Sequence, residues 1–277
     1  MMIYRRRIDR LHPALILMLV DQSDSMAEPI AGEPVSKAAA VADQINTMLY
    51  ELVLRCVRTS REPPRAYFSV GVIGYSTTES GEPLVGPVGA VLGTDGITST
   101  TELAENPLRV EMRAGHGGVA INAPVWIEPM ARGGTPMCTA LNRAGELAAM
   151  WVARHPDSFP PVVVNLSDGE ATDGDPAVWA RRLRSLSTSD GHLLLFNLNI
   201  SARAATTSLF PSDTDELPDG YARTLFGMSS PLPPSMIEVA RSQGIGVGPG
   251  ARGFGFNADM RGLALFLNVG TSIGRAA

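Results

Sequence analysis

Three short polar segments of this 277-residue chain carry side-chain oxygens at places where buried strands are predicted to end. Asp21, Ser23 and Ser25 follow one continuous apolar run, and Asp168 follows another. Thr135 lies in a Gly-Gly-Thr-Pro segment just before a predicted helix. In open parallel sheets, ligands bind at the carboxyl ends of the strands. Because hard cations such as Mg²⁺ prefer carboxylate and hydroxyl oxygens, these five residues are candidate metal ligands.

Alternating strands and helices are predicted to position these oxygens. Apolar runs of strand length, typical of strands covered on both faces, span 14–20, 66–74, 161–166, 193–200 and 253–257. Apolar residues at helical spacing predict helices over 35–56, 135–155, 175–186, 234–243 and 260–269. This alternation predicts an α/β fold with a mostly parallel sheet.

Two stretches interrupt the alternation. Residues 77–124 are rich in glycine with short apolar pieces, which indicates loops and hairpins, and residues 204–231 are polar with several prolines. Both are interpreted as insertions in a single domain that spans 1–277.

Each polar segment also has an ordinary structural interpretation. Ser25 and Thr135 could be helix N-caps, and Asp168 with the following glycine could form a turn. Asp173 and Asp175 are interpreted as turn and cap residues. The metal hypothesis depends on all three segments meeting at one edge of the sheet.

The order of these residues resembles the metal-ion-dependent adhesion site of the von Willebrand factor type A family. The family pattern is Asp-x-Ser-x-Ser after the first strand, then a Thr in a later loop and an Asp after the central strand. It matches Asp21, Ser23, Ser25, Thr135 and Asp168 here. The amino-acid sequences around Thr135 and Asp168 are most similar to those of bacterial intracellular members of the tellurite-resistance type. The resemblance covers about 13–175 closely and the rest loosely.

This resemblance implies a doubly wound, Rossmann-like sheet flanked by helices, with Mg²⁺ at its top and Mn²⁺ or Ca²⁺ as alternatives. The ion's open position would take an Asp or Glu from a partner protein, so the domain would be a recognition module and not an enzyme. Such bacterial relatives act beside AAA+ ATPases, kinases or phosphatases. One departure is Asp24, where the family usually has Gly; it could strengthen metal binding or repel an acidic partner, and an outward-facing side chain is favoured.

Composition excludes several other classes of function. A net charge of −5 and a pI near 5.4, without a long basic stripe, argue against a nucleic-acid partner. The apolar run at 11–20 follows three arginines but lacks a signal cleavage site and is too short to span a membrane, so a buried strand and a cytoplasmic protein are predicted. Cys56 and Cys138 are interpreted as core residues in a reducing compartment. Lys37, the single lysine, leaves no P-loop.

Two rival interpretations remain open at this point. One is an enzyme, either a metal-assisted phosphohydrolase or a serine hydrolase that uses Ser167 with His192. A phosphotransferase of the haloacid dehalogenase type needs Asp-x-Asp after the first strand, and position 23 is Ser. The other rival is a metal-free scaffold.

Overall fold

The structure, a computed structural model, describes residues 4–31, 33–59, 61–91, 96–114, 120–200, 206–215 and 217–273. Within these ranges strands and helices alternate, and helices cover both faces of a mostly parallel sheet. The α/β fold class predicted from the sequence is therefore confirmed. In the described part of the chain, no helix is both long enough and apolar enough to cross a membrane.

The strands in these ranges are β1 (Ala14–Asp21), β2 (Phe68–Thr77), β3 (Pro83–Pro87), β4 (Thr98–Ser99), β5 (Arg109–Ala114), β6 (Ala120–Val125), β7 (Val162–Ser167), β8 (Ser187–Thr188), β9 (Gly191–His192), β10 (Leu194–Ile200), β11 (Ser208–Leu209) and β12 (Phe254–Ala258). The helices are α1 (Lys37–Arg55), α2 (Thr100–Glu105), α3 (Met137–Arg154), α4 (Pro176–Ser185), α5 (Gly220–Met228), α6 (Pro234–Ser242) and α7 (Met260–Gly270). A 3₁₀ helix, Asp24–Ala27, follows β1.

The main sheet has the strand order β11-β12-β10-β7-β1-β2-β3, and β4 also pairs with β2. β1 is parallel to β2 and β7, and β10 is parallel to β7 and β12. The strands β3, β4 and β11 are antiparallel to their neighbours. The chain leaves β1 toward β2 on one side and later returns as β7 on the other, so the strand order reverses between β1 and β7. Doubly wound sheets bind ligands outside the carboxyl ends of the strands at such a reversal.

Both faces of the sheet are buried, which explains the unbroken apolar runs in the sequence. All eight residues of β1 are buried. Ile16 and Met18 belong to the core on the α1, α6 and α7 side, whereas Leu15 and Leu17 belong to the core under α3, α4 and α5. Burial of such a side chain contributes about 1.5–3 kcal/mol. The predicted buried first strand is thus confirmed.

Two helices lie in stretches for which the sequence predicted no helix. The short helix α2 begins with a capping box formed by Ser99 and Glu102. The helix α5 begins after the N-cap Asp219, and its buried residues include Leu225 and Phe226. The prediction of 204–231 as a polar segment without a helix was wrong, because the helix has only nine residues and prolines and glycines flank it.

Candidate metal centre

Asp21, the last residue of β1, is a buried carboxylate held by neutral donors. Its Oδ1 accepts a hydrogen bond from the Ser23 backbone N–H at 2.9 Å, and its Oδ2 accepts one from Ser167 Oγ at 2.7 Å. Among the described residues, no arginine, lysine or histidine forms an ion pair with Asp21. Burial raises the pKa of Asp21 to about 6, against the opposing effect of these hydrogen bonds. A divalent ion would compensate this negative charge.

The two serines connect the end of β1 to the loop after β7. Ser23 Oγ and Ser25 Oγ lie 3.1 Å apart, and Ser25 Oγ donates to Asp168 Oδ1 at 2.7 Å. The Asp168 side chain is fully buried. Ser25 lies inside the 3₁₀ helix and its hydroxyl bonds to Asp168, so its interpretation as an N-cap was wrong. The structure therefore brings Asp21, Ser23, Ser25 and Asp168 together.

Thr135 reaches the same edge from the loop before α3. A methyl group built on Gly169, the neighbour of Asp168, would lie 3.8 Å from Thr135 Oγ1. Thr172 Oγ1 accepts from the Thr135 N–H at 3.2 Å, and the Thr172 N–H donates to Thr135 O at 2.9 Å. The Thr135 hydroxyl has no hydrogen-bond partner among the residues described, although the residue is only 5% exposed. The N-cap of α3 is Pro136, so the interpretation of Thr135 as a cap was wrong.

The loop that carries Thr135 is held close to β2. Gly133 has a φ of +69°, and a Cβ at this position would lie 2.4 Å from Thr77 O, so only glycine fits. Asp24 is exposed and turns toward this loop, where its Oδ1 accepts from the Gly133 N–H at 2.9 Å. The structure thus confirms the outward orientation predicted for the Asp24 side chain.

Asp173 fixes the first turn of α3 and with it the position of Thr135. Its carboxylate accepts hydrogen bonds from the backbone N–H groups of Cys138 and Thr139, at 2.9 and 2.8 Å. Asp175 caps α4 through the Ala177 N–H at 2.9 Å. The prediction that these aspartates are turn and cap residues is confirmed for Asp175, which is the N-cap of α4. Asp173 instead accepts from the first turn of α3, 34 and 35 positions earlier in the chain.

Lys37 is also a member of the site, although no sequence motif indicated it. It is the first residue of α1 and is 3% exposed. Its Nζ donates to Asp168 Oδ2 at 2.7 Å, to Glu28 Oε2 at 2.9 Å and to Ser25 O at 3.3 Å. The only available signal was that the chain's single lysine begins the helix that follows the Asp-x-Ser-x-Ser segment.

Tyr221 was also missed, since it lies on the unpredicted helix α5. Its hydroxyl donates to Gly169 O, next to Asp168. Burial raises the pKa of Tyr221 above its usual value. α5 thereby contacts the loop after β7.

The donor set fits a hard divalent ion. It consists of two carboxylates and three hydroxyl oxygens, with no nitrogen or sulfur. No group of three or more His, Cys, Asp or Glu side chains that could hold a metal occurs in the described ranges, so an ion here would depend on the serine and threonine hydroxyls. The buried charge of Asp21 and the unpartnered hydroxyl of Thr135 are the two features that an ion would complete.

The residues of the rival hydrolase interpretation lie at opposite edges of the sheet. Ser167 ends β7, and its hydroxyl donates to Asp21 and contacts Gly169 O. His192 precedes β10, whose first residue is aligned with the first residue of β7. A six-residue strand, about 17 Å long, therefore separates the two. His12 precedes β1 and His155 follows α3, at that same far edge, and His116 lies outside the described residues.

Comparisons with known proteins support the fold. Neither protein-family models nor curated proteins match the sequence. The pilus adhesin SpaC from Lactobacillus rhamnosus GG is similar in structure, with 12% identity and a TM-score of 0.53 over 97% of this chain and 32% of the adhesin. The manganese-loaded TRAP protein of Plasmodium vivax has 13% identity and a TM-score of 0.41, over 94% of this chain and 73% of that protein. This chain thus spans about a third of the adhesin's length. Together with the strand order given above, the similarity to the adhesin confirms the doubly wound, mostly parallel α/β fold.

Proposed function

We propose that this chain is a metal-dependent protein-interaction module that binds a carboxylate of its partner through a divalent ion, Mg²⁺ in the cell. The observation that carries this proposal is the convergence of Asp21, Ser23, Ser25 and Asp168 at the reversal of strand order. The similarity in fold to a pilus adhesin agrees with a binding role.

In this proposal the hydroxyl-bearing and the carboxylate-bearing residues have different roles. Ser23, Ser25 and Thr135 would hold the ion by their hydroxyls, while Asp21 and Asp168 would neutralise it. A bound ion would supply a Lewis-acidic position for one partner oxygen. Ser167 keeps Asp21 oriented by its hydrogen bond of 2.7 Å.

A groove beside the site offers room for the rest of a partner segment. It is lined by Asp24, Thr77, Leu84, Arg132 and Gly133, among others. The exposed Arg132 forms no ion pair with a described residue, so it could bind a second acidic side chain. We therefore expect β2, β3 and the loop before α3 to select partners.

The proposal includes the absence of a catalytic role and a cytoplasmic location. The separation of Ser167 from His192 supports the first part. Cys56 and Cys138 are both free and buried, which agrees with a reducing compartment. Partners of the AAA+ ATPase, kinase or phosphatase type rest on the family resemblance alone.

Thermal unfolding in Mg²⁺, Mn²⁺ and chelator tests the metal part of the proposal. At a hundredfold excess over Kd, an ion should stabilise the wild type by about 2.7 kcal/mol. Asp21→Ala combined with Ser23→Ala should remove this increment. As a matched control, Asp157→Ala with Ser189→Ala removes the same groups from a hydrogen-bonded pair at the other edge of the sheet and should keep it. Equal responses of both double variants would contradict the assignment.

Affinity capture followed by mass spectrometry tests the partner part. The wild type in Mg²⁺ should retain proteins that chelator releases and that the Asp21→Ala and Ser23→Ala double variant does not bind. Partners that remain bound in chelator would indicate a metal-independent surface and contradict the proposal.

A further inference from the structure

Lys37 places a positive charge inside the candidate metal centre. Its side chain is 4% exposed, and its three N–H donors are directed at Asp168, Glu28 and the Ser25 carbonyl. Two of these three contacts are ion pairs, because Glu28 Oε2 and Asp168 Oδ2 lie 2.9 and 2.7 Å from Lys37 Nζ.

The contacts of Asp168 show what this charge does to the site. One carboxylate oxygen accepts from Ser25 Oγ at 2.7 Å, and the other accepts from Lys37 Nζ at 2.7 Å. Both oxygens of a candidate metal ligand are thus engaged inside the chain. Asp21, by contrast, has only neutral donors.

A divalent ion at this centre and the Lys37 ammonium would share one carboxylate. Like charges repel strongly where water is excluded, so the ammonium opposes the entry of the ion. Without an ion, the same ammonium compensates a fully buried carboxylate, which would otherwise be costly to fold.

We infer that Lys37 is a tethered cation of the metal centre, which holds Asp168 and Ser25 in place when no divalent ion is bound and weakens the binding of that ion. The inference rests on the proposed function, because it names the residue that sets the metal affinity of that same site. The metal centre would then bind a divalent ion only when the concentration of that ion is high.

Titration with Mn²⁺ alone, followed by calorimetry, tests the inference. Lys37→Met removes the charge and keeps the length of the side chain, and we expect its Mn²⁺ Kd to fall about tenfold or more. In chelator its melting temperature should be lower than that of the wild type, and the Mn²⁺-induced rise should be larger. Arg113→Met is the matched control, since Arg113 pairs with Asp43 of α1 and with Glu111, away from the centre. Its Mn²⁺ Kd should equal that of the wild type.

A second set of variants covers the case in which Lys37→Met is too unstable to titrate. Lys37→Gln should then tighten Mn²⁺ binding, and Lys37→Arg, which keeps the charge, should not. In chelator, Asp168→Asn should at least halve the loss of melting temperature that Lys37→Gln causes, because the buried charge is gone. An unchanged loss would overturn the inference.

Different results would contradict the inference about Lys37 and the proposed function. Mn²⁺ binding with equal affinity in the wild type and in the uncharged Lys37 variants would overturn the inference alone. An absence of Mn²⁺ binding in the wild type and in those variants alike would overturn the proposed function and the inference together.

Discussion

The two carboxylates of the candidate site are compensated in different ways. Asp168 already has the ammonium of Lys37 as its counter-charge, whereas Asp21 is buried among neutral donors. The negative charge that a divalent ion can still compensate therefore resides mainly on Asp21. An ion-binding defect should consequently be more severe for changes at Asp21 than for changes at Asp168.

The hydroxyl of Thr135 gives a test at the level of one atom. Thr135→Ala and Thr135→Ser both remove one methyl group, which costs about 1 kcal/mol of stability in chelator. Only the alanine variant also loses the hydroxyl, which has no partner among the described residues. We expect Thr135→Ala to weaken Mg²⁺-dependent partner binding about tenfold or more, and Thr135→Ser to keep it. Titrations that give equal affinities for the two variants would remove Thr135 from the site.

The candidate ligands could be predicted from the sequence, but Lys37 could not be placed among them. The aspartates and serines come directly after apolar runs, so the parallel sheet dictates that they meet at one edge. Lys37 reaches Asp168 across 131 positions of sequence. That contact depends on how the start of α1 packs over the sheet. A local sequence pattern does not predict this packing.

At the scale of secondary-structure elements, the loop after β7 organises the site more than any other segment. It provides Asp168, pairs with Thr135 through Thr172, and caps α3 through Asp173. The tyrosine hydroxyl of α5 donates to Gly169 in the same loop. The long helices were predictable because each has a continuous apolar stripe. The helix α5 was not, because it is short and its apolar face is defined by packing against α4, β10 and β12.

The capping role of Asp173 leads to a test at this scale. Asp173→Ala removes the acceptor for two N–H groups of α3, so we expect a loss of about 1–2 kcal/mol of stability. Because this turn carries Thr135, the variant should also bind Mg²⁺ more weakly. Asp175→Ala is the control: it removes the cap of α4 at a cost of about 1 kcal/mol and should leave Mg²⁺ affinity unchanged. Denaturant unfolding and Mg²⁺ titration of both variants give the comparison, and equal Mg²⁺ affinities would contradict it.

At the scale of the whole molecule, the two ends of the parallel strands carry different features. The carboxyl ends of β1 and β7 carry the candidate site, while the amino ends carry the hairpin of β8 and β9. At that amino edge, Asp190 accepts hydrogen bonds from the backbone N–H groups of Arg5 and Arg6. Backbone N–H groups that donate to side-chain oxygens thus occur at both edges. Their hydrogen exchange can therefore be compared between the two edges.

Amide hydrogen exchange should therefore respond to an ion at one edge only. At the site, the N–H groups of Ser23, Thr135 and Gly169 donate to the side-chain oxygens of Asp21, Thr172 and Ser167, respectively. These residues are far apart in the sequence, so a common response would mean that one ion joins the three loops. At a hundredfold excess of Mg²⁺ over its Kd, we expect their exchange to slow by up to about 100-fold, because opening of the loops then requires release of the ion. The N–H groups of Arg5 and Arg6 should not change. Slowing that is equal at both edges would indicate general stabilisation by salt, and slowing in one loop alone would indicate an ion held outside the proposed centre.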